Sequence, residues 1–141
     1  MKDEIIIVKE AEAQAVIEEL ENNLYEHNSN TINRHDGALF ALNIKNKSQE
    51  MIAGIAGWTW ASACEITHLW VSKAERNKGF GKKLLQAAED IAIKNGCVKI
   101  IIKSYSFQAP SFYENYGYKT ECIIADFPKG NQYHILTKDI G

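Results

Sequence analysis

The chain reads as a mixed α/β domain, and three observations predict this. Apolar runs of strand length recur from one end of the sequence to the other. Two longer stretches carry apolar residues at helical spacing. Between them, three strand-like runs follow one another through short turn signals, the pattern of an antiparallel sheet. With 141 residues, 45% of them hydrophobic, the chain suffices for one core, so a single domain over 1–141 is expected.

The elements follow in order. Ile5 to Val8 is an apolar run of strand length. "AEAQAVIEELENNLYEHN" carries Ala15, Ile17, Leu20 and Leu24 at near-helical spacing with carboxylates between them, and predicts a helix. Ser29 to Asp36 is mostly polar and reads as loop. "GALFALNIK" and "MIAGIAGWTW" predict two strands joined by the turn "NKSQE", and the glycines of the second suggest bulges or close contacts. Ala61 and Ser62 form a tight turn into a third strand, "ACEITHLWV". "KKLLQAAEDIAIKNG" is the clearest helix, with Leu84, Ala88, Ile91 and Ala92 on one face, Lys94 in its last turn and Gly96 just past its end. "CVKIIIK" is a strand, and Ala109 to Tyr116 a short helix with Pro110 in its first turn and Gly117 as its stop. "YGYKTECIIADF" and "QYHILTKDI" close the chain as two strands.

Composition narrows the function. A formal net charge of −2 argues against duplex nucleic acid as a partner, because gripping a phosphate backbone needs a net basic face. The longest uncharged run, Met51 to Cys64, is too short to span a bilayer, and "MKDEIIIVKE" has too short an apolar run for a signal peptide. Cys64, Cys97 and Cys122 are odd in number and widely spaced, so neither a disulfide framework nor a metal site is expected. They read as small core residues of a soluble cytoplasmic protein.

The most informative stretch is "ERNKGFGKKLL", residues 75–85. Glycine lets backbone N–H groups approach a ligand, and a helix start adds unpaired N–H groups and partial positive charge. Together these suit a phosphate. The spacing excludes a Walker A loop, because Arg76 stands where its first Gly would be and Lys83 where Ser or Thr would be. It also excludes the GxGxxG dinucleotide fingerprint, whose third Gly would fall on Leu84.

What fits is Arg-x-x-Gly-x-Gly, Arg76 to Gly81, after the strand "HLWV" and before an amphipathic helix. This resembles the acetyl-coenzyme A loop of the GNAT family of N-acetyltransferases. "QAPSFYENYGY", residues 108–118, resembles the family's second signature through Ala109, Phe112, Tyr113, Gly117 and Tyr118. Three residues before Ala109, where the family often has Asn against the coenzyme, this chain has Ser106. The resemblance implies a GNAT-like domain, a mixed, mostly antiparallel sheet flanked by helices, with splayed central strands. It implies acetyl-CoA as donor, no metal, and a coenzyme site from Arg76, Asn77, Lys78, Gly79, Phe80, Gly81 and Lys82, with Ser106 and Phe112. A backbone N–H among Leu69, Trp70 and Val71 would meet the thioester oxygen, where the family strand bulges.

Acetyl transfer to an amine needs a base for the ammonium proton, a donor for the oxyanion and stabilisation of the departing thiolate. Simple strand alternation puts Glu65, Thr67, Leu69 and Val71 on one face and Ile66, His68 and Trp70 on the other. Glu65 lies fourteen residues before Gly79, the spacing of the base carboxylate in one branch of the family, and is the candidate base. His68, on the opposite face, reads as a packed core residue, while His134 on the last strand could face the substrate cleft. Tyr113 matches the family position whose phenol lies near the coenzyme sulfur. Trp58, Trp60, Tyr25 and Asn28 are candidates to line the acceptor site, since an aromatic wall can hold a cationic amine. Cys64 points away from Glu65, which disfavours a covalent acetyl-enzyme. The function expected is direct transfer to a primary amine of a small molecule. The alternatives are a protein lysine or N-terminus as acceptor, and a non-catalytic acyl-CoA-binding module. The last strands could supply the edge of a homodimer.

Overall fold

The computed structural model describes residues 3–141, so Met1 and Lys2 of the one-domain reading lie outside the described residues. The chain divides into two compact units, one ending at His35 and the other running from Asp36 to Gly141. The first unit is built on one long helix, α1 (Glu10–Ile32). It continues through the first half of the polar run expected to be loop. Thr31 is accommodated because its hydroxyl donates to the His27 carbonyl one turn back, at 2.7 Å. The stop comes from Asn33, in the left-handed conformation at φ 55°, whose N–H bonds to the Ser29 carbonyl. The expected first strand is not formed. Ile5 to Val8 joins no ladder among the described residues, and Ile5 and Ile7 are exposed. An apolar run is a strand only when a neighbour supplies its hydrogen bonds, and sequence does not display the neighbour.

The second unit is a six-stranded sheet in the order β1-β2-β3-β4-β6-β5. The strands are β1 (Ala38–Lys45), β2 (Met51–Trp60), β3 (Ala63–Val71), β4 (Lys99–Tyr105), β5 (Lys119–Ala125) and β6 (Gln132–Asp139). Only the β3–β4 pair is parallel. The β1–β2 turn is held by Asn46, whose Oδ1 accepts from the amides of Ser48 and Glu50 at 2.9 and 3.0 Å. Ala61 and Ser62 make the β2–β3 turn with φ of 50° and 65°, the twist a two-residue hairpin requires, although neither is glycine.

Helices α2 (Phe80–Lys94) and α3 (Pro110–Glu114) pack on one face of this sheet. Leu84, Leu85, Ala88 and Ala92 of α2 are buried, and Ile91 is half-buried. They meet Ile100, Ile102, Cys64, Ile66 and Leu136 in one core. Each fully buried aliphatic side chain there contributes roughly 1.5–3 kcal/mol. Helix α2 ends in a Schellman motif. The Cys97 amide bonds to the Ala92 carbonyl at 2.9 Å and that of Gly96, at φ +75°, to Ile93 at 3.0 Å. A half-buried polar tie joins the helix to the far strands. The Tyr118 hydroxyl donates to Glu89 Oε2 at 2.8 Å, and Lys138 Nζ bonds both Glu89 oxygens at 3.1 and 3.2 Å.

One irregularity decides the site. Between β2 and β3, Ala56 lies opposite His68 but Gly57 lies opposite Ile66, so Thr67 is an extra residue on β3. Its hydroxyl donates to the Ala56 carbonyl at 3.2 Å. The bulge breaks the simple alternation: beyond it Leu69 and Val71 return to the core side, while His68 and Trp70 emerge on the face of Glu65. Gly57 permits this, since a Cβ there would collide with the Glu65 carbonyl oxygen and the Phe40 ring. Gly57→Ala is therefore expected to lower stability by about 1–3 kcal/mol in urea unfolding, the usual cost of overpacking. A neutral substitution would show that the two strands are not held this close.

Candidate active site

The strands β3 and β4 pair only from Ala63–Ile66 against Lys99–Ile102. Beyond Ile66, β3 stays with β2 as far as Val71, while β4 stays with β6 through Tyr105. The middle of the sheet therefore splits, as the expected splayed strands require, and both strand edges lining the split lack a ladder partner across it. Such a split can admit an extended chain that offers its own hydrogen-bonding groups.

The glycine loop lies at the end of β3, after a short 3₁₀ turn (Lys73–Glu75). Arg76 Nε donates to the Val71 carbonyl at 3.2 Å and ties the loop to the strand end. Asn77 and Gly79 both have positive φ, 64° and 85°. The first bond of α2 runs from the Lys83 amide to the Gly79 carbonyl at 3.1 Å, so the amides of Phe80, Gly81 and Lys82 precede the helical ladder. No side chain caps them. A Cβ at Gly79 would meet nothing within 4 Å, so the backbone is open to solvent there. At Gly81 a Cβ would come within 3.2 Å of the Phe112 ring, so this glycine brings α2 and α3 together. Lys78 is drawn to Glu75 at 2.9 Å, whereas Arg76, Lys82 and Lys83 are exposed. Uncapped amides, a helix dipole and exposed cations together suit a phosphorylated ligand.

Beside the loop, Phe112 and Tyr113 of α3 are stacked edge to face at 5.3 Å, and Tyr113 is buried. Burial pushes the Tyr113 phenol up to about 12, so it holds its proton through the neutral range. Ser106 accepts the Gln132 amide at 3.1 Å on its hydroxyl oxygen, anchoring the end of β4 to β6 and leaving its O–H free to donate.

On the other face of the sheet, Trp58, Glu65, His68 and Trp70 are brought together by the register and the bulge. Glu65 is 20% exposed at its side chain, and Lys103 Nζ stands 3.8 Å from Oε2. That is an ion pair without a hydrogen bond, so the carboxylate oxygens remain able to accept. His68 Nδ1 lies 2.8 Å from Thr67 Oγ1. With the Thr67 hydroxyl donating to the Ala56 carbonyl, the matching His68 tautomer carries its proton on Nδ1 and donates to Thr67 Oγ1. The lone pair of His68 then belongs to Nε2. His68 is thus an exposed residue on the Glu65 face and not a packed core residue. The sequence signal was Gly57, whose missing Cβ permits the bulge; Lys103 carried no signal beyond its place in a strand.

Two other expectations, for His134 and Cys122, need correction. His134 lies opposite Ser104 on the helix-covered face, away from Glu65, with its Nδ1 buried. Cys122 is exposed, unlike the buried Cys64 and Cys97. Burial raises the Cys64 thiol to about 12, which makes it a poor nucleophile. Trp58 and Trp60 are half-buried, and Tyr25 and Asn28 lie on α1 in the first unit. Among the described residues no cluster of His, Cys, Asp or Glu is arranged to hold a metal ion, and no helix is long and apolar enough to cross a membrane.

Comparison with known proteins agrees with this geometry. Residues 6–118 match the Acetyltransferase (GNAT) family. The chain is 34% identical to blasticidin-S acetyltransferase of Streptomyces morookaense over 95 residues, 64% of this chain and 68% of that one. It is 30% identical to an acetyltransferase of Agrobacterium fabrum over 131 residues, 93% of each. A crystal structure of an acetyltransferase from Bacillus cereus superposes with a TM-score of 0.78 at 28% identity, covering 98% of both chains. A split sheet with a glycine loop at its mouth, matched over most of the chain by these relatives, makes the protein a member of the GNAT family of N-acetyltransferases.

Proposed function

We propose that the protein transfers an acetyl group from acetyl-CoA directly to the primary amine of a small molecule. The observation that carries this reading is the split between β3 and β4, which opens the sheet between two differently equipped faces. On one side are the glycine loop, Phe112 and Tyr113; on the other are Glu65, His68 and the tryptophans. A donor and an acceptor can then meet in the gap without a covalent enzyme intermediate, and the inert Cys64 supports that.

The residues present fit the coenzyme: the open Gly79, the uncapped α2 amides, Arg76 and Lys82 would hold its diphosphate. Bound there, it supplies a thioester whose carbonyl carbon the amine attacks and whose sulfur departs. Glu65 attracts the ammonium and takes its proton, since its oxygens carry no hydrogen bond among the described residues. Tyr113, holding its proton, offers the departing thiolate a hydrogen bond. Unpaired strand backbone near Leu69 to Val71 is the candidate donor for the developing oxyanion. A second base is favoured by one specific observation, the Nε2 lone pair that Thr67 leaves on His68.

The test is thiol release from acetyl-CoA across a panel of small amines and basic peptides. Turnover of small amines at least ten times more efficient than of any peptide is expected. Release only with peptides would move the acceptor to protein, and release with no amine would leave an acyl-CoA-binding module.

A further inference from the structure

At the open end of β4, on the Glu65 face, four aromatic rings gather where the proposed mechanism uses none of them. Tyr105 and Phe107 are parallel, 3° apart in plane with centroids at 5.2 Å. Phe127 stacks toward Tyr105 at 6.3 Å, and Tyr133 touches both Tyr105 and Phe127, at 4.7 and 4.9 Å. The rings come from four separate segments: the end of β4, the loop after it, the β5–β6 connection and the start of β6. Together with Pro128, three of them line an open cavity of about 370 Å³. Phe107 and Phe127 are 62% and 49% exposed, a large apolar cost for side chains that only pack a loop.

The place of this cluster indicates what it holds. Tyr105 stands two residues beyond Lys103 on the same face of β4, about 7 Å along the strand. Lys103 contacts Glu65 at 3.8 Å, and the Glu65 charge is also felt by the Tyr133 phenol, which is raised mainly by burial. A molecule lodged among the rings is therefore a short arm away from the carboxylate. The cavity is of small-molecule size, and stacked ring faces favour a flat π-system over an aliphatic chain.

We infer that Tyr105, Phe107, Phe127 and Tyr133 form the site for the flat aromatic or heteroaromatic body of the acceptor, whose primary amine reaches Glu65 on a short flexible arm. This rests on the acetyl-transfer reading for the amine, but ring binding itself is separately measurable.

The experiment compares tryptamine with n-pentylamine on the full chain. Thiol release from acetyl-CoA gives kcat/KM, and saturation-transfer NMR reports tryptamine binding without chemistry. Tryptamine is expected to be at least ten-fold the better substrate. Phe107→Leu and the double variant F107L/F127L keep apolar bulk at exposed positions and so leave the fold intact by circular dichroism. They are expected to raise KM for tryptamine about ten-fold, weaken its NMR signal, and leave n-pentylamine turnover unchanged. Equal use of the two amines, or tryptamine binding indifferent to both variants, overturns the aromatic site and leaves acetyl transfer standing. Tryptamine binding that the variants weaken, with no thiol release from any amine, supports the aromatic site and overturns acetyl transfer.

Discussion

Replacing Gly81 with Glu is expected to weaken acetyl-CoA binding by about 100-fold or more, close to 3 kcal/mol. The effect combines two causes. Any side chain at this position must enter the space against the Phe112 ring, 3.2 Å from where its Cβ would lie, at the junction of α2 and α3. A carboxylate also brings negative charge to the uncapped amides that the diphosphate needs. The helix itself is not disfavoured, because an acidic residue in the first turn suits its dipole and any residue other than proline replaces glycine there at no propensity cost. Gly81→Ala separates the causes: it adds the Cβ without the charge and is expected to lose less than ten-fold. Calorimetric titration with acetyl-CoA, alongside circular dichroism, reads both. An unchanged dissociation constant for the Glu variant would remove the loop from the coenzyme site.

Much of this architecture is legible from residue pattern because the signals are local. The β1–β2–β3 meander follows from apolar runs separated by Asn46–Glu50 and Ala61–Ser62. The extent of α2 follows from Leu84, Ala88 and Ala92, and its end from Gly96. What pattern alone misreads depends on partners distant in sequence. Ile5 to Val8 has strand composition but joins no ladder, because pairing is a property of two strands. Simple alternation puts His68 on the wrong face because it assumes an unbroken ladder, and the bulge at Thr67 is permitted by Gly57, ten residues away in sequence across the hairpin. The four-ring cluster is assembled from positions 105, 107, 127 and 133, of which only the first two are close in sequence. Spacing singles out the candidate carboxylate and the glycine loop; it does not display the residues packed around them.

The bulge also sets the most decisive kinetic comparison. Glu65 and His68 share a face, and each offers a lone pair that no hydrogen bond among the described residues occupies. Glu65→Gln keeps the shape but removes the charge that attracts the ammonium and the basic oxygen that accepts its proton. It is expected to lower kcat by about 10²–10⁴-fold, the span of general base catalysis, and to raise KM for the amine as well. It also leaves Lys103 without its counter-charge, so Lys103→Met in the same background serves as a control. If loss of the base is the cause, the double variant stays as slow as E65Q. If the unpaired lysine repels the ammonium, the double variant recovers. His68→Gln preserves a donor toward Thr67 while removing the Nε2 lone pair, and is expected to cost less than ten-fold. A fall of 100-fold or more in H68Q, with near-normal rates in E65Q, would transfer the base to His68. The carboxylate would then serve only to hold the incoming cation, and the extra residue in β3 would be the feature that brings the catalytic imidazole to the split.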